Sequence, residues 1–166
     1  MESPVERIER LLNDKIFLFQ ELLDILNEEK KGIVDIDVDK LWAFSKKKQV
    51  VASKIEDIRK DILQILDEAA IAHGMSLDTF SVAKIIELTG LNAHAPMNQI
   101  NVTLILLKKK VQAIAGENKR NVQEYLGVMD ELIGTIANMG EKSGVYENTR
   151  YPRKHKKTSY MLNTEV

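Results

Sequence analysis

The chain contains no cysteine. Disulfides and thiolate metal sites are therefore excluded, and nothing argues for an oxidising compartment. Proline is scarce, with three in 166 residues, and glycine is modest at eight. A β-sandwich or barrel would have few residues from which to build its many turns. No apolar run approaches the roughly 18 residues of a membrane span, so no membrane insertion is expected. The residues Met1-Glu2-Ser3-Pro4-Val5-Glu6 are acidic and lack the apolar core of a secretory leader, which gives a cytoplasmic reading. Catalytic signatures are missing as well. The histidines are His73, His94 and His155; no two stand four apart, and there is no His-Glu-x-x-His. No glycine-rich phosphate loop follows a strand, because no segment reads as a convincing strand. The expectation is a protein that is not an enzyme, with no catalytic residue, no metal and no cofactor.

What remains is the composition of long solvated helices: 30% charged residues, 44% apolar ones and a net charge of −1. At this length one domain is the default. The first helix is expected at about residues 4–31. Ser3-x-x-Glu6 is a capping box with Pro4 at the first helical position. Val5, Ile8, Leu12, Phe19, Leu22 and Leu26 form its apolar face, widened by Ile16 and Leu23, and Lys30-Lys31-Gly32 ends it. The connector holds Asp35, Asp37 and Asp39. A calcium loop starting at Asp35 would need glycine sixth and glutamate twelfth, where Lys40 and Lys46 stand, so Asp37 reads instead as a helix N-cap. The second helix, about 38–73, has the cleanest repeat: Leu41, Phe44, Lys48, Val51, Ile55, Ile58, Ile62, Ile65, Ala69 and Ala72. Only Lys48 interrupts it, and a lysine stem covers apolar surface while its ammonium reaches water. A short helix at about 77–89, capped by Ser76 or Asp78 and stopped at Thr89-Gly90, is expected to close the end of the bundle.

The rest of the chain is arranged around the last long stretch, a helix expected at about 97–139, some forty residues or about 60 Å long. Its apolar positions run Leu104, Leu107, Val111, Ile114, then Tyr125, Val128, Leu132 and Met139. These steps of three and four mark a face packed on other helices. Between Ile114 and Tyr125 the positions are polar, Asn118 and Asn121. A carboxamide there either fixes register or marks a functional break, or else sits solvated at a bundle end. Gly116, Gly127 and Gly134 each cost about 1 kcal/mol against alanine within a helix, so this half is intrinsically weaker. It still carries Tyr125, Val128, Met129, Leu132, Ile133, Ile136 and Met139. That pattern suits a helix end that binds a partner helix, and equally a core helix that tolerates glycine.

Residues 141–166 read as a flexible basic tail with three of the four tyrosines, Tyr146, Tyr151 and Tyr160. From Val145 to Val166 its net charge is +3, from Arg150, Arg153, Lys154, Lys156 and Lys157 against Glu147 and Glu165, leaving −4 on the body. An acidic body repels a duplex, so no nucleic-acid partner is expected. The fold class is all-α: residues 1–140 form an antiparallel bundle of three long helices plus a short capping helix, followed by an irregular C-terminal tail.

The segment Gly116-Glu117-Asn118-Lys119-Arg120-Asn121-Val122-Gln123-Glu124-Tyr125-Leu126 resembles the asparagine-centred region late in the third long helix of the FlgN family, cytoplasmic chaperones of flagellar hook-associated proteins. The likeness runs along the chain through Leu18 to Leu26 with Glu28-Glu29-Lys30, the Asp39-Lys40-Leu41 entry to the second helix, the lysine run Lys46-Lys47-Lys48, and Tyr146 in the tail. One departure is that Glu147-Asn148-Thr149-Arg150 follows Tyr146 where family tails commonly place a glycine. The resemblance implies binding of the C-terminal helices of the hook–filament junction proteins FlgK and FlgL before type III export. It further implies delivery to the export gate protein FlhA, by a monomer or homodimer. The implied partner-binding residues are Asn118, Asn121, Tyr125, Val128, Leu132, Ile136, Met139 and Tyr146. The competing reading is a coiled-coil scaffold or adaptor module with no client.

Overall fold

The computed structural model describes residues 2–91 and 94–142, with side chains through residue 138. Among these the chain is all-helical, with no strand. Four helices follow one another: α1 (Pro4–Asp35), α2 (Val38–Glu68), α3 (Val82–Leu88) and α4 (Ala95–Lys142). By internal packing the chain divides into Met1–Leu126 and Gly127–Val166.

Local chemistry sets the ends of the helices. At Ser3 the capping box forms in both directions: Ser3 Oγ accepts from the Glu6 amide, and the Ser3 amide donates to Glu6 Oε2 at 2.8 Å. Asp37 caps α2 by accepting from the Lys40 amide. The exits differ from those read in the sequence. α1 does not stop at Gly32, which is buried close to Phe44; a Cβ there would lie 3.4 Å from the Phe44 ring. The helix runs one turn further and closes on Ile36, whose φ of 56° is left-handed. The Ile36 amide donates to the Ile33 carbonyl and the Asp37 amide to the Gly32 carbonyl, the paired bonds of a Schellman motif.

α2 likewise ends at Glu68, short of the expected His73. Ala70 takes the left-handed conformation (φ 55°), with Ala70 N–H bonded to Asp67 O and Ile71 N–H to Leu66 O. The apolar repeat through Ala69 and Ala72 suggested more helix, but this motif turns Ile71 back onto the core. α3 starts at Ser81, whose hydroxyl accepts from the Lys84 amide, and not at Ser76 or Asp78. Ser76 is engaged with Thr79 instead, in a turn where each amide donates to the other's hydroxyl. Phe80 is thereby left in the connector, packed on the core.

α1 and α2 run antiparallel, as their ion pairs fix: Arg7 meets Glu68 near one end and Glu29 meets Lys48 near the other. The core joins Ile8, Leu12 and Phe19 of α1 with Val51, Ile55, Ile58, Ile62, Ile65 and Leu66 of α2. Met75 of the connector, Ile85 and Ile86 of α3 and Met97, Ile100, Leu104 and Leu107 of α4 complete it. Ile8, Leu12, Ile62, Leu66, Ile85 and Met97 are wholly buried. Each contributes about 1.5–3 kcal/mol relative to exposure.

One position in the α1 stripe is not apolar. Lys15 lies between Leu12 and Phe19 and is only 5% exposed. Burial lowers its pKa to about 8, and the Arg59 and Lys108 charges push in the same direction. Between about 8 and the ordinary 10.5 the unfolded chain therefore holds a proton that the fold has released. Stability is expected to rise with pH across that window. Chemical denaturation should show this slope, on the order of 3 kcal/mol in all, and show it gone in Lys15→Met, which is more stable at neutral pH. Separately, Ile36→Gly should raise stability by about 1 kcal/mol in the same assay, since a β-branched residue is strained in the left-handed region.

Candidate partner-binding site

The buried stripe of α4 steps through Met97, Ile100, Leu104 and Leu107, is half-buried at Val111 and Ile114, and ends at Asn118. Asn118 is 3% exposed. Its amide group donates to the Leu26 carbonyl at 2.9 Å and to Glu29 Oε2 at 3.0 Å. The other Glu29 oxygen accepts from Lys48 Nζ. One carboxylate thus joins α1, α2 and α4, and Lys48, which interrupted the α2 repeat, has a specific partner. Asn118 Oδ1 accepts no hydrogen bond among the described residues. A second contact between α1 and α4, Lys30 with Glu117 at 2.7 Å, is close to half-exposed on both sides and adds little stability.

The other residues singled out in the sequence have a different environment. Asn121 is half-buried and Tyr125 is 36% exposed, and residues 123–138 are all exposed. Tyr125 and Leu126 close the first unit. In the second, Val128, Met129, Leu132, Ile133 and Ile136 are exposed by 37–65%. Val128, Leu132 and Ile136 are four apart and share one helix face; Met129 and Ile133 flank it. An added Cβ on Gly127 or Gly134 meets nothing within 4 Å, so close packing does not account for these glycines. The Met139 side chain and Tyr146 lie outside the described residues, as do the other tail features.

Sequence reasoning missed Glu29 and Lys15. Both occupy heptad-like positions of α1, Lys15 between Leu12 and Phe19 and Glu29 three beyond Leu26, so the spacing that identified the apolar face also marks them.

No curated protein and no solved structure matches the chain. The model of the FlgN protein family matches residues 1–156. The chain is a member of the FlgN family. These are flagellar export chaperones, a family not known for catalysis. Among the described residues of this FlgN protein no helix is long and apolar enough to cross a membrane, and no cluster of acidic and histidine side chains could hold a metal ion.

Removing either end of the buried ion pair should have unequal effects. Lys48→Met strands the Glu29 carboxylate, whose side chain is 11% exposed, and should cost about 3 kcal/mol. Glu29→Gln leaves the more exposed Lys48 free to turn to water and should cost about 1 kcal/mol. Urea denaturation of the two variants checks the order.

Proposed function

We propose that this protein is a cytoplasmic chaperone of the hook–filament junction proteins FlgK and FlgL, binding their C-terminal helices before type III export and delivering them to the export gate protein FlhA. In this reading the packed helices α1, α2 and the first part of α4 are the platform, and α4 from Tyr125 onward receives the client. The observation that carries it is the run of exposed apolar side chains Val128, Leu132 and Ile136 on one face of α4, in a chain of the FlgN family. A client helix that polymerises through an apolar stripe is masked when that stripe lies against another apolar helix.

The eight residues proposed for this task divide by role. Tyr125, Val128, Leu132 and Ile136 contact the client, joined by Met139 and by Tyr146 of the tail. Asn118 is too buried for contact and acts by holding α4 to α1. Asn121 stands between the two groups. Gly127 and Gly134 keep the receiving helix weak, so that ordering it on the client lowers net affinity and allows release.

The competing reading, a scaffold or adaptor in which the same stripe pairs with a second copy, differs in oligomeric state. Leu132→Asp combined with Ile136→Asp is expected to weaken FlgK or FlgL binding by about a hundredfold or more, since each buried side chain contributes about 1.5–3 kcal/mol. The melting temperature should not change. Binding measured by calorimetry on purified proteins decides this, and unchanged affinity overturns the assignment. Sedimentation of the wild type alone tests the scaffold: a stable dimer that the two substitutions dissociate would favour it.

A further inference from the structure

The first unit keeps apolar side chains in water on the side of α2 that faces away from the core. Val38, Trp42 and Val50 are exposed by 59%, 67% and 54%, and Trp42 is the one tryptophan of the chain. Successive residues of a helix turn by about 100°, so Asp39, Trp42, Lys46 and Val50 share one face, away from the buried Val51 and Ile55. All four are exposed. In the turn that leads into α2, Ile36 is 48% exposed and left-handed, a conformation that a β-branched residue disfavours. Glycine would sit there without strain, and the fold gives the isoleucine side chain little burial in return.

The charges on this face decide what fits it. The neighbouring cations are engaged: Lys40 meets Asp37 at 3.2 Å, and Lys47 lies 5.7 Å from the centroid of the Phe44 ring. The side chains of Asp39 and Lys46 make no ion pair among the described residues. They bracket Trp42, the acid three residues before it and the base four after. A partner of one sign would be attracted by one of them and repelled by the other. A second copy lying antiparallel about a two-fold axis at Trp42 satisfies both. Asp39 of each copy then comes level with Lys46 of the other, the two indoles pack at the axis, and Val50 runs toward the other copy's Ile36. We propose that the solvent face of α2 around Trp42 is a homodimer interface, occupied by a second copy of this chain. The patch is a few side chains wide, and interfaces below about 1,200 Å² in total are weak, so the dimer forms at about micromolar concentrations and above. The inference is independent of the chaperone reading, which rests on α4.

Sedimentation of the full chain over a range of concentrations is expected to show a monomer–dimer equilibrium, with Trp42 fluorescence moving to shorter wavelength as the dimer forms. Trp42→Gln, at an exposed position, should raise the dissociation constant about a hundredfold or more, since a two-fold dimer loses two indoles at once. The melting temperature of the dilute monomer should not change. Asp39→Lys and Lys46→Glu each set like charges against one another across the axis, and each alone should abolish the dimer. Mixed in equal amounts, these two variants have opposite charges at both contacts and should associate at least as tightly as the wild type, a recovery that a misfolded variant cannot give. A chain that stays monomeric at millimolar concentration overturns the proposal, as does a dimer that Trp42→Gln leaves intact or a mixture that fails to associate. A dimer that Leu132→Asp with Ile136→Asp dissociates also overturns it, since the contact would then lie on α4.

Discussion

The arrangement of the first unit depends on one buried carboxylate. Glu29 is held by Lys48 on one side and by Asn118 on the other, so a single group of α1 fixes α2 and α4 at the same level. Aliphatic stripes spaced three and four apart pack nearly as well after a shift of one turn, because the hydrophobic effect has no direction. A carboxylate that must meet one ammonium and one carboxamide has no such freedom. The stripes of Ile8, Leu12, Ile55, Ile62 and Leu104 supply burial, and the polar contacts select among ways of burying it. Such a triad lowers stability relative to a fully apolar layer and gains register in exchange.

Much of this was legible beforehand. The four helices, the Ser3 capping box, the Asp37 cap and the apolar face of α2 followed from spacing and capping chemistry, which are local properties. Helix ends were less legible where tertiary contact overrode local preference. Gly32 reads as a stop but is buried against Phe44, and the left-handed position passes to Ile36, a residue type that disfavours it. Ala70 does the same where the repeat suggested more helix, because Ile71 has a place on the core. Ser76 looked like a cap but found Thr79. The register-fixing role of Asn118 was one of two readings that the pattern left open. Only the position of Glu29, on another helix and 89 residues away, distinguishes that role from a solvated bundle end.

Lys15 and Glu29 share a lesson about polar residues in apolar repeats. Each was passed over because the surrounding repeat was strong enough to be recognised without it. In the fold the two differ in kind. The Glu29 charge is answered by Lys48, while the charges around Lys15 share its sign. An interruption of a stripe therefore has two outcomes, a counter-charge within the fold or a charge whose protonated form burial disfavours, and the sequence of a single helix does not distinguish them.

α4 passes from one physical regime to another along an unbroken helix. Up to Asn118 one face of it belongs to the core, while from 123 to 138 every described residue faces solvent. An isolated helix of that length is marginal in water. Amide hydrogens before Asn118 would exchange only when the whole unit opens; those beyond Tyr125 would exchange by local fraying, orders of magnitude faster. The same boundary divides what selection can see. A substitution on the buried face before Asn118 changes how much folded protein a cell holds. One beyond Tyr125 leaves abundance and melting almost untouched and alters only what the helix engages, so a survey of variants scored by expression level would record that half of α4 as silent.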